Sequence, residues 1–277
     1  MIRLVLTDLD NTLVPLGEKT CSERSIRAIH ACLDAGVAFG PVTGRNHLEA
    51  HAFLMGDDAA VATGVYVNGQ HVRLGGRLIS ETELDRTGIE LLERMIRDRP
   101  GHALVTFRAD GVADFVGDAP ENLAGMCEKG MWLGWERHER LPRYPVVKAG
   151  VICNVGFDQE RALKAELEAA APAFDFHNTT HCWFDVVPHG WSKAQGVEIL
   201  RREMGLAPDE VCVFGDAEND LPLFDVCVHS CAVANATDAV SRRARWHVGA
   251  SAEDGVAIAL EDIADAARKG TLPGFFS

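Results

Sequence analysis

"RLVLTDLDNTLVPL", residues 3–16, decides how the rest of this chain is read. The run from Ile2 to Thr7 is apolar and rich in Val and Leu, as a strand buried on both faces should be, and it stops in a turn cluster. It closes on Asp8 and Asp10, followed by Asn11 and Thr12. Two carboxylates one residue apart repel each other at neutral pH, so a buried strand that ends on them requires a compensating partner. Outward from this strand, Ser22 is a good helix cap, Ile26, Ile29 and Leu33 are spaced for one helical face, and Gly36 is a stop. "VAFGPVTGR" (37–45) reads as a second strand, 46–55 as a second helix and "AAVATGVYVNG" (59–69) as a third strand. This βαβαβ alternation predicts a parallel sheet covered by helices.

From about Glu83 the pattern changes. A helix is expected through Arg97, two short strands within 103–117 around a turn at "ADG", and a short helix near 120–128. A strand within 146–157, a periodic helix at 158–171 and a hairpin from "AFDFH" and "CWFDVVP" follow. After Pro188 the alternation returns, with a helix at 193–204, a strand at 211–214, a helix after Asp220, short strands near 226–233 and helices to about 268. The expected fold class is α/β: a doubly wound, Rossmann-like parallel-sheet core formed by 1–82 and 189–277, with an inserted α+β cap domain at 83–188.

Composition narrows the partners. A chain of 277 residues, 47% apolar and 25% charged, has the balance of a globular protein with room for two domains. No apolar run approaches the length that crosses a bilayer, and "MIRLVLTD" lacks the features of a signal peptide, so a cytoplasmic location is expected. The net charge of −14 argues against nucleic acid or an anionic membrane as partner. An anionic ligand would therefore need positive charge supplied locally. Eight cysteines, scattered and without a CxxC pair, read as reduced, mostly buried thiols.

Parallel sheets place ligands beyond the carboxyl ends of their strands, so the residues just after each core strand carry the chemistry. These are Asp8 and Asp10 after the first, Thr43, Gly44 and Arg45 in "VTGR" after the second, and Asp216, Asn219 and Asp220 in "GDAEND" after "VCVF". Lys193 opens the helix where the core resumes. Four carboxylates, Asp8, Asp10, Asp216 and Asp220, gathered at one sheet edge call for a cation, and an oxygen-only set favours Mg²⁺. A threonine hydroxyl, an ammonium and free backbone N–H groups are what the outer oxygens of a phosphoryl group need. Taken singly, "DLD" is an ordinary turn or cap, Lys193 a solvated helix-end lysine and "GDAEND" a capped turn; in this order they define a metal and phosphate site.

These four motifs, "DLDNTL", "VTGR", the lysine of "WSKAQG" and "GDAEND", match in order and spacing those of haloacid dehalogenase superfamily phosphatases. The cap inserted after the third strand and the final "SAEDGVAIAL" make the chain resemble the Cof-type branch. The resemblance implies a Mg²⁺-dependent phosphatase acting on a small phosphorylated metabolite, such as a sugar phosphate, through an aspartyl-phosphate. It implies Asp8 as nucleophile and Asp10 as general acid/base. Thr43 and Lys193, with Gly44, Arg45 and Asn219, would bind the phosphate. Asp8, Asp216 and the Asp10 carbonyl would hold the metal, with Asp220 supporting it. Ala234 precedes Asn235 where relatives often carry glycine, a departure that bears on substrate contacts.

An ionised Asp8 can attack phosphorus in line, and Asp10 can protonate the leaving alkoxide and then deprotonate water. Two rivals stand beside hydrolysis: a phosphosugar mutase using the same aspartyl-phosphate, and a non-catalytic phosphometabolite sensor, which would need no nucleophile. In the cap, residues 129–148 mix Trp132 and Trp135 with Arg137, Arg140 and Arg143, which could offer an aromatic and basic surface to a sugar phosphate, but the favoured reading is a surface loop with its tryptophans packed inward. His177 and His181 have no evident partner ligands and read as structural, while His189, at the return from cap to core, is open equally to a functional role and to hinge packing.

Overall fold

A computed structural model describes residues 1–118, 123 and 134–276, without the side chains of residues 179 and 180. The chain divides into two compact units, Met1–Glu81 with Ser192–Ser277, and Thr82–Trp191. The first unit begins with β1 (Leu4–Thr7), α1 (Glu23–Asp34), β2 (Ala38–Pro41), α2 (His47–Phe53), α3 (Asp58–Val61), β3 (Gly64–Tyr66), β4 (His71–Leu74) and β5 (Arg77–Glu81). The second holds α4 (Arg86–Ile96), β6 (His102–Phe107), β7 (Val112–Gly117), β8 (Gly134–His138), β9 (Ala149–Cys153), α5 (Phe157–Ala170), β10 (Phe174–Thr180) and β11 (Trp183–Pro188). The chain then completes the first unit with α6 (Lys193–Glu203), β12 (Val211–Gly215), α7 (Leu221–Val226), β13 (His229–Val233), α8 (Asp238–Arg243), β14 (Trp246–Val248) and α9 (Gly255–Lys269).

The first unit is built on a five-stranded sheet in the order β14-β13-β12-β1-β2, with every neighbouring pair parallel. All four residues of β1 are buried, which explains an unbroken apolar run where a half-exposed strand would alternate. Leu4, Leu6, Val211 and Val213 pack with Val197 and Leu200 of α6 and with Leu223 and Phe224 of α7. Each such side chain contributes about 1.5–3 kcal/mol on burial. α1 packs against α9, where Arg24 forks onto Glu261 at 2.9 and 2.7 Å and the Cys32 thiol donates to the Leu260 carbonyl at 3.2 Å. The start of α1 is as expected: the Ser25 N–H donates to the Ser22 hydroxyl, and Gly36, at φ +79°, releases the chain after it.

The third strand differs from expectation. Residues 59–61 belong to α3, capped by Asp57 accepting the Ala60 N–H at 2.9 Å, and only Gly64–Tyr66 is extended. β3 touches β2 through the single parallel bridge Val42–Val65 and then pairs antiparallel with β4, which pairs with β5. The result is a separate three-stranded sheet rather than a sixth core strand. Its β4–β5 turn, Gly75–Gly76, has both residues at positive φ, the signature of a tight hairpin. β14 was likewise absent from the expected elements.

The second unit is a six-stranded sheet, β10-β11-β9-β6-β7-β8, antiparallel except for the β7–β8 pair. Ile89, Leu92 and Ile96 of α4 and Leu163 and Leu167 of α5 pack on Leu104, Val116, Val151 and Phe176. The β10–β11 hairpin is as expected. β8 runs through the stretch expected to be a loop, and its Trp135 is 41% exposed, edge-on to Phe115, rather than packed inward. An edge strand polar on both faces has no period-2 signature to read. The expected helix near 120–128 falls almost wholly outside the described residues, as do Cys127 and Trp132. The seven described cysteines are free and buried.

Candidate active site

Because β12, β1 and β2 are neighbours and parallel, their carboxyl ends deliver Asp216, Asp8 and Thr43 side by side at one edge of the sheet. Lys193 comes from the first position of α6, set there by a capping box in which Ser192 and Gln195 satisfy each other's backbone N–H groups. Gly196 lets α6 approach closely: a Cβ there would lie 2.5 Å from Val65 and 2.8 Å from the Gly69 backbone. The ammonium of Lys193, 1% exposed, donates to Asp8 Oδ1 at 2.8 Å and to Asp220 Oδ1 at 2.7 Å. Asp220 Oδ2 accepts the N–H groups of Asp216 and Ala217 at 3.0 and 3.3 Å. It tucks under Gly215, where a Cβ would meet it at 2.6 Å.

Asp216 is aimed by two neutral donors from the loop after β1, Asn11 Nδ2 on Oδ2 at 2.7 Å and Thr12 Oγ1 on Oδ1 at 2.8 Å. Carboxylate oxygens of Asp8, Asp216 and Asp220 lie within 4.8 Å of one another, and all three residues are buried. Asp8 Oδ2 accepts no hydrogen bond among the described residues. Three buried carboxylates, two of them paired with one ammonium and the third with an amide and a hydroxyl, suit a hard cation and oppose a soft one. Asp8 and Asp216 offer oxygens to such an ion. Asp220 takes the Lys193 ammonium on one oxygen and two backbone N–H groups on the other, whereas each Asp216 oxygen takes a single neutral donor and keeps a lone pair, so Asp220 acts behind the other two.

The electrostatics agree. Burial pushes the Asp8 carboxyl well above the ordinary range, opposed by Lys193 and reinforced by Asp220 and Asp10. Burial also raises Asp216, against the hydrogen bonds of Asn11 and Thr12. Burial alone would lower Lys193, but Asp220 and Asp8 more than offset it and raise it, keeping it charged. An added cation would reverse the upward pull on both acids.

The remaining expected residues sort into two groups. Asp10, half exposed, is held away from the Lys193 cluster by a two-pronged pair with Arg45 at 2.7 and 2.5 Å, and the Arg45 guanidinium stacks on Phe53 at 3.7 Å. Arg45 thus neutralises the neighbouring acid. Thr43 is buried with its hydroxyl accepting the Arg45 N–H at 3.2 Å, so the hydroxyl proton remains available to a ligand. Gly44 lies between them in the same turn, and Asn219 is half-buried in the tight turn over 218–220. Sequence reasoning assigned no role to Asn11, Thr12 or Asn235. Asn235 donates to the Asn11 carbonyl at 2.7 Å and accepts the Ser251 N–H at 2.8 Å, tying the loop that aims Asp216 to the region before α9. The polar letters after "DLD" were the available signal for the first two.

A family model for haloacid dehalogenase-like hydrolases matches residues 5–260. Among curated proteins, the phosphoglycolate phosphatase of Halorubrum lacusprofundi is 32% identical over 157 residues, 56% of this chain and 67% of that one. The putative phosphatase YkrA of Bacillus subtilis is 24% identical over 94% of this chain and 97% of its own length. The crystal structure of a haloacid dehalogenase-like hydrolase from Bacteroides thetaiotaomicron superposes with a TM-score of 0.81 at 19% identity, covering 95% of this chain and all of that one. The chain belongs to the haloacid dehalogenase-like hydrolase family, among its Cof-type phosphatases. It has that family's parallel five-stranded core sheet and inserted mixed-sheet cap, and the family typically uses Mg²⁺. No helix among the described residues is long and apolar enough to cross a membrane.

Proposed function

We propose that this chain is a Mg²⁺-dependent phosphatase for a small phosphorylated metabolite, a sugar phosphate or related phosphoester, acting through an aspartyl-phosphate on Asp8. The observation that carries this reading is the trio Asp8, Asp216 and Asp220, buried together beyond the ends of β1 and β12 with the Lys193 ammonium paired to Asp8 and Asp220. Asp8, Asp216 and the Asp10 carbonyl would hold the Mg²⁺, which would supply positive charge beside the transferring phosphoryl group. Asp8 Oδ2, free of protein donors, attacks phosphorus in line. Lys193 and the Thr43 hydroxyl, with the backbone around Gly44 and with Asn219, take the outer phosphoryl oxygens. Asp10 gives a proton to the leaving alkoxide and later takes one from water, so Arg45 must let go of it and is free to meet the phosphate. The cap, whose residues lie outside all four motifs, supplies contacts beyond the phosphate.

The test is a screen of phosphorylated sugars, sugar alcohols and acids with Mg²⁺, reading inorganic phosphate. Stoichiometric phosphate release that stops in excess chelator is the expected result. Full release in chelator overturns the metal, and transfer without release of phosphate makes the chain a mutase.

A further inference from the structure

The second unit contains a different cluster, at the end of the sheet where β10 turns into β11. Glu160, in the first turn of α5, is 4% exposed. Its Oε2 lies 2.6 Å from His181 Nδ1 and 3.4 Å from the Cys182 N–H, and its Oε1 takes the side-chain amide of Asn178. Among the described residues no lysine or arginine pairs with it. A carboxylate so enclosed calls for positive charge beside it. The thiol of Cys182 completes the group: a carboxylate oxygen of Glu160, a ring nitrogen of His181 and Cys182 Sγ all lie within 4.8 Å of one another.

We propose that Glu160, His181 and Cys182 form a metal site for Zn²⁺ or a comparable borderline-soft divalent cation, separate from the carboxylate cluster of the first unit. Oxygen, imidazole and thiolate together are the ligand set of zinc and not of magnesium, and ligands at this spacing can close on one ion at about 2.0–2.3 Å. Partners that orient the ligands are already in place. The Phe157 ring stacks on the His181 imidazole at 4.2 Å between centroids, and Asn178 fixes the second oxygen of Glu160. Cys182 occupies a left-handed turn position, φ +69°, which brings its thiol back over α5. The comparable group Asp114, Glu136 and His138 differs, because Arg108 already donates to both of its acids. Binding releases the Cys182 proton to solvent, His181 coordinates as the neutral imidazole and gives up its second proton where it carries one, and solvent or a small anion fills the fourth position. The ion would pin the hairpin turn to the first turn of α5.

The test uses the full chain, freed of metal and held in excess Mg²⁺ to fill the first unit's site, then titrated with Co²⁺ as a coloured zinc analogue. One equivalent should bind with a near-ultraviolet thiolate-to-cobalt band, be displaced by Zn²⁺ and raise the melting temperature. Cys182→Ser should abolish the band. His181→Ala and Glu160→Gln should each weaken binding at least about ten-fold, and Asn178→Leu less. Metal-free melting curves establish that each variant is folded. Cobalt bound without a thiolate band, or a band surviving Cys182→Ser, overturns the site. Binding unchanged in both His181→Ala and Glu160→Gln overturns the ligand set.

Discussion

Each unit contains an aspartate with no exposed side-chain surface, Asp220 in the first and Asp114 in the second, and the two are treated differently. Asp114 receives two bonds from Arg108 at 2.8 and 2.5 Å, one from Tyr144 at 2.8 Å and one from His138 at 2.6 Å. Tyr144 is in turn held by Thr106 at 2.5 Å. Asp220 shares one lysine with Asp8, and Asp216 beside them has only neutral donors. The first arrangement is closed: burial alone would raise Asp114, but the Arg108, Tyr144 and His138 bonds bring it below the ordinary carboxylate range. The second leaves carboxylates in excess and their acidities pushed upward. A buried polar cluster that satisfies itself is architecture, whereas one short of positive charge is waiting for a ligand.

The comparison can be broken at either end. The largest effect expected is that of Asp8→Asn, which keeps size and loses the nucleophile: phosphate release should fall at least about a thousand-fold, roughly 4 kcal/mol, with the circular dichroism spectrum unchanged. A variant that retained a tenth of the wild-type rate would remove Asp8 from the chemistry. Lys193→Met should lower the metal-free stability by about 3–5 kcal/mol in urea unfolding, because two buried carboxylates lose the one cation paired with them among the described residues. Mg²⁺ should recover part of that loss, and recovery by neither Mg²⁺ nor acid would mean that packing, not charge, set the cost.

In the second unit, Asp114→Asn should cost about 2–3 kcal/mol at neutral pH with no response to Mg²⁺. Since the folded carboxyl is depressed, its stabilisation is complete above an unfolded pKa of about 3.9 and fades as pH falls through the lower folded value. The stability gap between wild type and variant should therefore close only on acidification below about pH 4. The smallest effect belongs to Asn235→Ala, which frees the Asn11 loop and should raise the Mg²⁺ concentration for half-maximal activity about ten-fold with little change in melting temperature. Equal activation curves would make Asn235 purely structural.

How far the letters alone carried depends on what each element buries. β1, β12 and α6 were legible because a strand buried on both faces and a capped helix leave unambiguous patterns, as Leu4–Thr7 and Ser192–Lys193 do. The departure of β3 was not, since three residues that could join either sheet are decided by the Gly75–Gly76 turn further along. In the site, Asp8, Asp216, Asp220 and Lys193 could be grouped because a parallel sheet brings its strand ends together. The pairing of Asp10 with Arg45 could not, because it depends on how a turn points two exposed side chains. Glu160, His181 and Cys182 were missed for a related reason: the left-handed conformation at Cys182 joins residues that no spacing rule links.

The first unit is closed by two stretches of chain far apart, and the bonds from Asn11 and Thr12 to Asp216 span 205 and 204 positions. At ribosomal speeds of about 5–20 residues per second, some 10–40 s pass between synthesis of the strand carrying Asp8 and the arrival of Asp216. For most of that interval Asp8 and Asp10 have neither Lys193 nor β12 beside them and stay hydrated, because burying them alone is prohibitive. A nascent chain is accordingly inert toward metal at that end of β1 until its last third has been made. The first strand synthesised, flanked on both sides in the finished sheet, is among the last to be enclosed.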